Sequence, residues 1–441
     1  MTAETNTTEF VAWFRSVAPY IHAFRNKVFV IGFSGEMIND DHFVNFIHDI
    51  NLLASLGVRL VLVHGARPQI QLRLDESQLE TPTVLGMRIT DPAALQGVKE
   101  SVGRVYHEIA ALLSMGLPNS PMANAAICVT SGNFVTACPQ GVIQGIDLMH
   151  TGKVRKINAP AVLSRLEQGD VVLISPLGYS PTGEIFNLTM ENVATETAIA
   201  LHAEKLIFLL DAPLPTSGAD LLPRELTVAE SKALLKNSQP VLPDSTRLSL
   251  QSATRACELN VARAHLINRQ ADGVMLQELF THNGIGTMIT QETLQALRKA
   301  KIDDVGGILQ LIEPLEAEGI LVRRGRELLE IEIDRFTVFE HDGIILGCAA
   351  LYPFSEENAC ELACLAIHPD YRDQGHGNRL LKYIENQAIA MGIRKLFVLT
   401  THATHWFIEH GFNQVTPAEL PKIKKNIYNY QRKSKVLAKR L

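Results

Sequence analysis

Apolar and polar positions along the first two thirds of the chain follow a strand–helix rhythm. Short apolar runs of strand length occur at Val28–Gly32, Arg59–His64, Ala125–Val129, Val171–Ser175 and Lys205–Leu210. Longer segments with apolar residues every three or four positions predict helices at Phe43–Leu56, Pro92–Met115 and Glu191–Leu201. This alternation predicts an α/β domain over residues 27–286, with a mainly parallel sheet covered by helices on both faces.

A second rhythm begins near residue 292 and predicts another α/β domain over residues 295–441, after a linker at 287–294. Its predicted helices are Glu292–Lys299, Val305–Glu318, a segment ending at Ala390, and Trp406–His410. Its predicted strands are Ile320–Val322, Phe336–His341, Ile344–Leu351, Leu362–Ile367 and Lys395–Leu399. His341-Asp342-Gly343 is typical of a hairpin turn, so two of the strands should be antiparallel.

The first 26 residues predict a helix with one broad aromatic stripe. The stripe contains Phe10, Trp13, Phe14, Val17, Ile21 and Phe24, and Pro19 is a site for a kink. Such a face must be buried. Packing on its own domain and packing on another subunit are equally open at this point.

Composition bounds the function. A chain of 441 residues is expected to form more than one domain, and its formal charge of −6 argues against a nucleic-acid partner. The six cysteines lack metal-ligand spacing, so we expect reduced thiols and no metal. The polar first residues and the short apolar runs predict a cytoplasmic protein with no membrane contact.

A glycine-bearing turn follows the strand that ends at Ile367. Arg372, Gly375 and Gly377 stand between this strand and a helix, where free N–H groups and the helix dipole favour a pyrophosphate. Leu380 occupies the third glycine position of a dinucleotide fingerprint, which weakens that alternative. An ordinary strand–turn–helix connection is the other alternative.

The spacing Arg372-x-x-Gly375-x-Gly377 resembles the coenzyme A loop of the GNAT acetyltransferase family. The resemblance implies acetyl-CoA as co-substrate. The loop residues that would hold its pyrophosphate are Arg372, Asp373, Gln374, Gly375, His376, Gly377 and Asn378. Main-chain N–H groups of Leu365, Ala366 and Ile367, on a strand splayed before the loop, would face the thioester and the pantetheine.

Acetyl transfer to an amine needs a base, an oxyanion site and a leaving thiolate. Glu361, on the same strand, is the candidate base; a solvated carboxylate at a strand end is the alternative. Many members of the GNAT family carry a tyrosine as thiolate acid where this chain has Phe407. Thr400 and Thr401 are therefore hydroxyl candidates, and transfer without a dedicated acid is equally open.

The acceptor should match its binding residues in charge. Arg323 and Arg324 can bind a carboxylate through paired N–H groups, and the basic tail adds Lys424 and Arg432. Cys364 completes this set of candidates. Two cationic elements suit a dicarboxylate such as glutamate, although terminal lysine runs are often only solvated.

The segment from Leu60 to Ile70 resembles acetylglutamate kinase of the amino acid kinase family. Where that enzyme has a glycine triplet, this chain has Gly65, Ala66 and Arg67, and its first strand lacks the kinase lysine. Both departures remove groups that handle the transferring phosphate, so a working kinase is not expected.

The end of this domain resembles the effector segment of arginine-sensitive relatives. The resemblance implies that His265, Glu278, Gly286 and Thr287 bind the effector. A purely structural role for His265 and Glu278 at the domain end is the alternative.

The joint presence of both domains, over nearly the whole chain, resembles the bacterial N-acetylglutamate synthase family. This implies acetyl transfer from acetyl-CoA to L-glutamate in arginine biosynthesis, L-arginine as feedback inhibitor at the kinase-like domain, and a homo-oligomer, a hexamer by resemblance. A coenzyme A-binding arginine sensor without catalysis and a residual acetylglutamate kinase are the alternatives.

Overall fold

The computed structural model describes residues 3–211, 222–237, 242–281, 284–372, 375–426, 428 and 434–441. The chain divides into two compact units, Met1–Glu292 and Thr293–Leu441. Among the described residues, no helix combines the length and the apolar character that a membrane span requires.

The first unit contains ten helices and sixteen strands within its described residues. The helices are α1 (Ala3–Phe24), α2 (Gly35–Ile38), α3 (Phe43–Ser55), α4 (Arg67–Glu76), α5 (Pro92–Leu113), α6 (Ala159–Glu167), α7 (Met190–Ala200), α8 (Val228–Lys236), α9 (Asp244–Glu258) and α10 (Val274–Phe280). The strands are β1 (Val28–Phe33), β2 (Arg59–His64), β3 (Thr83–Val84), β4 (Met87–Arg88), β5 (Val129–Thr130), β6 (Val135–Pro139), β7 (Val142–Ile143), β8 (Ile146–Asp147), β9 (Gly152–Ile157), β10 (Val171–Ile174), β11 (Leu177–Tyr179), β12 (Ile185–Asn187), β13 (Lys205–Leu210), β14 (Glu225–Thr227), β15 (Arg263–Asn268) and β16 (Thr287–Thr290).

Eight of these strands form one sheet in the order β14-β16-β15-β13-β1-β2-β10-β5. All its pairs are parallel except β15 with β16. Alternate residues of the central strand β1 enter opposite cores: Val30 packs with α7 and α9, and Ile31 packs with α3 and α5. The predicted parallel sheet with two covered faces is therefore confirmed.

Two predictions in this unit were wrong in detail. The expected strand Ala125–Val129 reduces to β5, because only Val129 and Thr130 pair with β10 at the sheet edge. The predicted linker 287–294 begins with β16, whose residues pair with β14 and β15 inside the first sheet.

The second unit contains a seven-stranded sheet in the order β17-β18-β19-β20-β21-β23-β22. The strands are β17 (Gln295–Lys299), β18 (Phe336–His341), β19 (Ile344–Phe354), β20 (Ala359–Ile367), β21 (Lys395–Thr400), β22 (Asn413–Val415) and β23 (Lys435–Arg440). The helices are α11 (Val305–Ala317), α12 (Arg326–Ile331), α13 (His376–Ala390), α14 (Thr404–Glu409) and α15 (Lys422–Asn426).

Helices cover both faces of this sheet. Ile308 and Ile312 of α11 pack against one face, and Leu380 and Ile384 of α13 pack against the other. The pair β20 and β21 is parallel, whereas the other pairs are antiparallel. The predicted second α/β domain with an antiparallel hairpin is confirmed.

Two predicted elements of this unit were wrong. The expected helix Glu292–Lys299 is wrong: Gln295–Lys299 forms the strand β17, because it pairs antiparallel with Thr337–His341 of β18. Ile320–Val322 forms no strand; these residues turn away from the end of α11, where Ile320 and Leu321 bond back to the carbonyl of Leu315.

Candidate functional site

A β-bulge shapes the middle strand of the second unit. Cys348 pairs with Ala366 while Ala350 pairs with Ala363, so β20 has one more residue than β19 between these pairs. Cys364 takes up this extra residue with a left-handed φ of 51°. The bulge changes which side chains face α11, and it bends the strand next to the expected reaction centre.

Beyond the bulge, β20 separates from its parallel neighbour. The last paired residues are Leu362 and Val398, so no pairing with β21 follows along Ala363–Ile367. Leu365, Ala366 and Ile367, predicted to meet the thioester and pantetheine, lie along this open edge. Main-chain N–H groups on such an edge are available to a ligand.

The glycine loop joins β20 to α13. Arg372 Nε donates to the carbonyl of Ile367 at 3.3 Å, which holds the loop against the strand. Gly375 has a φ of 80°, a conformation that glycine adopts without strain, and it caps α13. Asp373 and Gln374, also predicted here, lie outside the described residues.

The first turn of α13 supplies the N–H groups of His376, Gly377 and Asn378, which helix geometry leaves without an intrahelical partner. The His376 ring is buried and stacks on Phe339 with centroids 4.6 Å apart, so only its main chain can serve an anion. A Cβ on Gly377 would lie 3.3 Å from the Trp406 ring. The geometry fits a pyrophosphate cradle.

Glu361 is buried on β20, which rules out the alternative of a solvated carboxylate at a strand end. The ammonium of Lys424, on α15, lies 2.7 Å from Glu361 Oε2. The structure thus brings together two predicted site residues that are distant in sequence.

Arg324 is half-buried in the loop between α11 and α12, and its main-chain N–H donates to Glu316 Oε1 at 2.8 Å. Burial alone would lower the pKa of Arg324, but Cys364, Tyr352 and Glu361 outweigh it and raise this pKa. These three groups therefore surround a guanidinium that stays charged. Arg324 is the cation that the structure places beside the candidate base from this loop.

Arg323 differs from its neighbour. Its side chain is exposed, whereas that of Arg324 is half-buried, although both arginines line a surface cleft of about 530 Å³ with Glu313 and Glu316. Nothing in the described geometry places Arg323 at Glu361. Arg432, the remaining predicted cation, lies outside the described residues.

The Cys364 thiol is buried beside Arg324. Burial raises the pKa of this thiol to about 11, although the neighbouring guanidinium opposes the shift. The sulfur is therefore a neutral thiol near pH 7 and a poor nucleophile.

The acid candidates lie near the end of β21. Thr400 Oγ1 accepts hydrogen bonds from the main-chain N–H groups of His402 and Ala403, so it stabilises the turn before α14. Thr401 Oγ1 contacts His402 Nδ1 at 3.1 Å. Phe407 is buried with its ring 5.2 Å from that of Phe412, which makes it part of the core.

The first unit contains a second cluster, built from the predicted effector residues. His265 Nδ1 lies 2.7 Å from Glu278 Oε1, and both side chains are buried. Glu278 Oε2 accepts the N–H groups of Ile285 and Gly286 at 2.7 and 2.8 Å. A Cβ on Gly286 would lie 2.5 Å from the carbonyl of Leu266, so only glycine fits there.

Thr287, the fourth predicted effector residue, is buried on β16 and pairs with Leu266 of β15. Thr287 directly follows Gly286 in the chain, and its pairing partner Leu266 is the neighbour of His265 on β15. Its contribution to a ligand site would come through this position next to Gly286.

Lys205, to which the sequence pattern did not point, also belongs to this cluster. Its ammonium is buried, lies 3.1 Å from His265 Nε2, and lies 5.2 Å from the Phe24 ring at the end of α1. The apolar run of β13 conceals this lysine, and a lysine opening a fully buried strand is the signal that could have found it.

The charges in this cluster follow from burial and contacts. Burial and the Lys205 ammonium lower the pKa of His265 to about 4, against the opposing effect of Glu278. Burial alone would raise the pKa of Glu278, but hydrogen bonds from His265 and from the Gly286 and Ile285 main chain hold it at about 2. Near pH 7 the cluster therefore consists of a neutral imidazole between an ammonium and a carboxylate.

The carboxyl edge of the first sheet, where a kinase would hold its phosphate, contains the protein's own ion pairs. Arg269 bridges Asp40 and Asp211 at 2.5 Å each, and Ser34 Oγ donates to the same Asp211 oxygen at 2.7 Å. These contacts neutralise the aspartates with a protein guanidinium.

Both units match known families. Residues 27–268 match the amino acid kinase family, and residues 332–414 match the acetyltransferase (GNAT) domain. An amino-acid acetyltransferase of Ralstonia nicotianae is 50% identical over 433 residues, covering 98% of this chain and 96% of the relative. One from Vibrio cholerae is 48% identical and covers 98% of each chain.

Solved structures agree with these matches. N-acetylglutamate synthase from Neisseria gonorrhoeae, crystallised with coenzyme A and L-arginine, is 38% identical, with a TM-score of 0.88 over 98% of this chain and 99% of that one. The same protein with coenzyme A and N-acetyl-glutamate gives a TM-score of 0.61. Fold and site define an enzyme that joins an amino acid kinase-like domain to a GNAT acetyltransferase domain. The chain belongs to the amino-acid acetyltransferase family.

Proposed function

We propose that this enzyme transfers the acetyl group of acetyl-CoA to the amine of L-glutamate, the first step of arginine biosynthesis. The observation that carries the proposal is the buried carboxylate of Glu361, paired with Lys424 at 2.7 Å and close enough to Arg324 to raise its pKa. The related N. gonorrhoeae synthase, crystallised with coenzyme A and N-acetyl-glutamate, supports the same substrates.

The proposed mechanism is direct attack. Glu361 accepts a proton from the ammonium of glutamate, and the amine attacks the thioester carbon. The main-chain N–H groups of Leu365 and Ile367 face the developing oxyanion. As the C–S bond breaks, the nitrogen loses its second proton to solvent, and the thiolate takes a proton from solvent or from a hydroxyl such as that of Thr401. The products are N-acetyl-L-glutamate and coenzyme A.

An acyl-enzyme on Cys364 is disfavoured. Its thiol is buried and its pKa is about 11, so almost no thiolate forms at neutral pH. A neutral sulfur can line the acceptor site without reacting with the thioester. Direct transfer needs no nucleophile from the protein.

The positive charges beside Glu361 favour an acceptor that carries two carboxylates. Lys424 and Arg324 come from different elements and both lie beside Glu361, so each can bind one carboxylate of glutamate. Ornithine or a protein lysine would bring a further positive charge to this site, which disfavours both. A role for Arg323 and Arg432 in substrate binding stays a prediction.

The first unit is proposed to bind L-arginine as feedback inhibitor. The anionic Glu278 suits a guanidinium, and the buried Lys205 suits a carboxylate. The ion pairs of Arg269 at the former phosphate edge count against a residual kinase. The cytoplasmic location and the homo-oligomer remain predictions.

The test is thiol release from acetyl-CoA with L-glutamate as acceptor, with and without L-arginine. Release that depends on glutamate and falls with arginine is expected. Glutamate-dependent release that ignores arginine would remove the effector proposal alone. Effector binding without any release would favour the non-catalytic sensor, and phosphate release from ATP would favour the kinase.

The effector residue has its own test. Glu278→Gln should raise the arginine concentration for half inhibition at least tenfold, because a buried charge partner of the guanidinium is lost. Glu258→Gln, which removes an exposed carboxylate of the same unit, is the matched control. Equal inhibition of both variants would contradict the assignment of Glu278.

A further inference from the structure

Tyr352 lies at the centre of the candidate acceptor site without a role in the mechanism above. Its register partner across β19 and β20 is Glu361, so the two side chains share one face with Cβ atoms roughly 5 Å apart. That face is the one covered by α11, and Arg324 reaches it from the loop after α11. Tyr352 therefore stands beside both the proposed base and the proposed carboxylate-binding guanidinium.

The hydroxyl group of Tyr352 is oriented by a carboxylate. It donates to Glu332 Oε2, just after α12, at 2.6 Å. Glu332 in turn lies 3.6 Å from Arg335, whose guanidinium sits 4.8 Å from the centre of the Tyr352 ring. The Tyr352 hydroxyl is thus fixed by a short hydrogen bond to Glu332, and its ring is fixed by the Arg335 guanidinium above it.

The hydrogen bond from Tyr352 to Glu332 determines what the Tyr352 oxygen can offer to Arg324. A phenol has one proton to donate, and here Glu332 receives it, so the oxygen lone pairs can only accept. The guanidinium of Arg324 carries N–H donors alone, and the buried Cys364 thiol beside it is a weak acceptor. The Arg324 guanidinium also donates to the Val322 carbonyl at 3.3 Å, and the Tyr352 oxygen is a second neutral acceptor that can orient it without neutralising its charge.

We propose that Tyr352 and Glu332 are positioning residues that orient Arg324 toward a carboxylate of the acceptor amino acid. The proposal rests on the proposed function, because it assigns a substrate carboxylate to Arg324. A neutral hydroxyl partner leaves the guanidinium charge for the substrate, whereas a carboxylate in direct contact would compete with it. Preorganisation of this kind lowers the ordering cost of binding.

The test is steady-state kinetics of Tyr352→Phe in the full-length enzyme. This change keeps the ring and removes the hydroxyl, so KM for L-glutamate should rise about tenfold, with kcat within about twofold and KM for acetyl-CoA unchanged. Glu332→Gln, whose amide oxygen still accepts from the phenol, should lose less than Glu332→Ala. Tyr383→Phe, on α13, is the matched control and should leave all three constants unchanged.

Acceptor analogues make the test specific. L-Glutamine and L-isoglutamine each lack one carboxylate, and the tenfold penalty of Tyr352→Phe should vanish for the analogue that lacks the one bound by Arg324. A penalty that persists equally with all acceptors, or a variant with unchanged KM for glutamate, would overturn the positioning role. A wild-type enzyme without glutamate-dependent release would instead overturn the proposed function, and this inference with it.

Discussion

Lys424 keeps its ammonium 2.7 Å from the Glu361 carboxylate, and little of either side chain is exposed. Because the pair is largely shielded from water, removing only one of its two charges would be costly. When glutamate binds, its own ammonium needs Glu361 and its carboxylate needs a cation. We therefore expect Lys424 to turn from the base to the substrate, which ties acceptor affinity to this one side chain.

The prediction at this residue compares two neighbouring lysines. Lys424→Met should raise KM for L-glutamate about tenfold, equal to about 1.4 kcal/mol, and leave KM for acetyl-CoA unchanged. Lys425→Met removes an exposed lysine of the same helix and should change neither constant. Equal kinetics for the two variants would show that Lys424 does not reach the substrate.

Titration of His265 should make the free energy of unfolding depend on pH. Burial and Lys205 lower its pKa to about 4, from an ordinary value of 6.5. In the unfolded chain, His265 therefore becomes protonated as the pH falls through about 6.5. In the folded chain it stays neutral until about pH 4. The free energy of unfolding should fall as pH falls through this window, because protons favour the unfolded state. Glu278, with its pKa near 2, extends the loss from about pH 4.5 downward.

His265→Gln keeps a donor for Glu278 and removes the titration. Its destabilisation relative to wild type should therefore be smaller at pH 5 than at pH 7.5, measured by urea unfolding of both proteins at each pH. His107→Gln, at an exposed position of α5, is the control. A destabilisation that is independent of pH would mean that folding does not lower the pKa of His265.

At the scale of elements, local features were predictable and pairings were not. The glycine loop could be predicted because its chemistry lies in a few adjacent residues between β20 and α13. The helix predicted at Glu292–Lys299 failed because Gln, Ala, Leu, Arg and Lys favour helices locally, while pairing with β18 decides the outcome. Tyr352 and Lys205 were missed because their partners come from distant segments, which no local pattern reveals.

The same scale gives a prediction for the start of α13. Gly377→Val should raise KM for acetyl-CoA tenfold or more, because its side chain would cover the N–H groups of the first turn and meet Trp406. KM for glutamate should stay unchanged, since β20 and α15 are untouched. Gly306→Ala, where an added Cβ in the first turn of α11 meets open space, is the control and should leave both KM values unchanged. An unaffected KM for acetyl-CoA in Gly377→Val would refute the cradle.

At the scale of the whole molecule, the N-terminal half of α1 presents aromatic side chains that the rest of the described chain leaves exposed. Phe10, Trp13 and Phe14 are 59%, 53% and 58% exposed, and the rings of Phe10 and Phe14 stack 6.0 Å apart. Near its end, however, α1 buries Val17 and Phe24 in the core of the first unit. An aromatic surface of this kind, fixed at one end, is typical of a contact with another subunit.

The double substitution Trp13→Ser with Phe14→Ser should therefore lower the molar mass measured by light scattering. Arg15→Ser, at an exposed polar position between the two aromatic residues and Val17, should leave the mass unchanged. Because Phe24 lies 5.2 Å from the Lys205 ammonium, a change in α1 should also weaken inhibition by arginine. A lower mass with full arginine inhibition would show that assembly and effector binding are independent. An unchanged mass would show that the subunit contact does not involve the aromatic surface of α1.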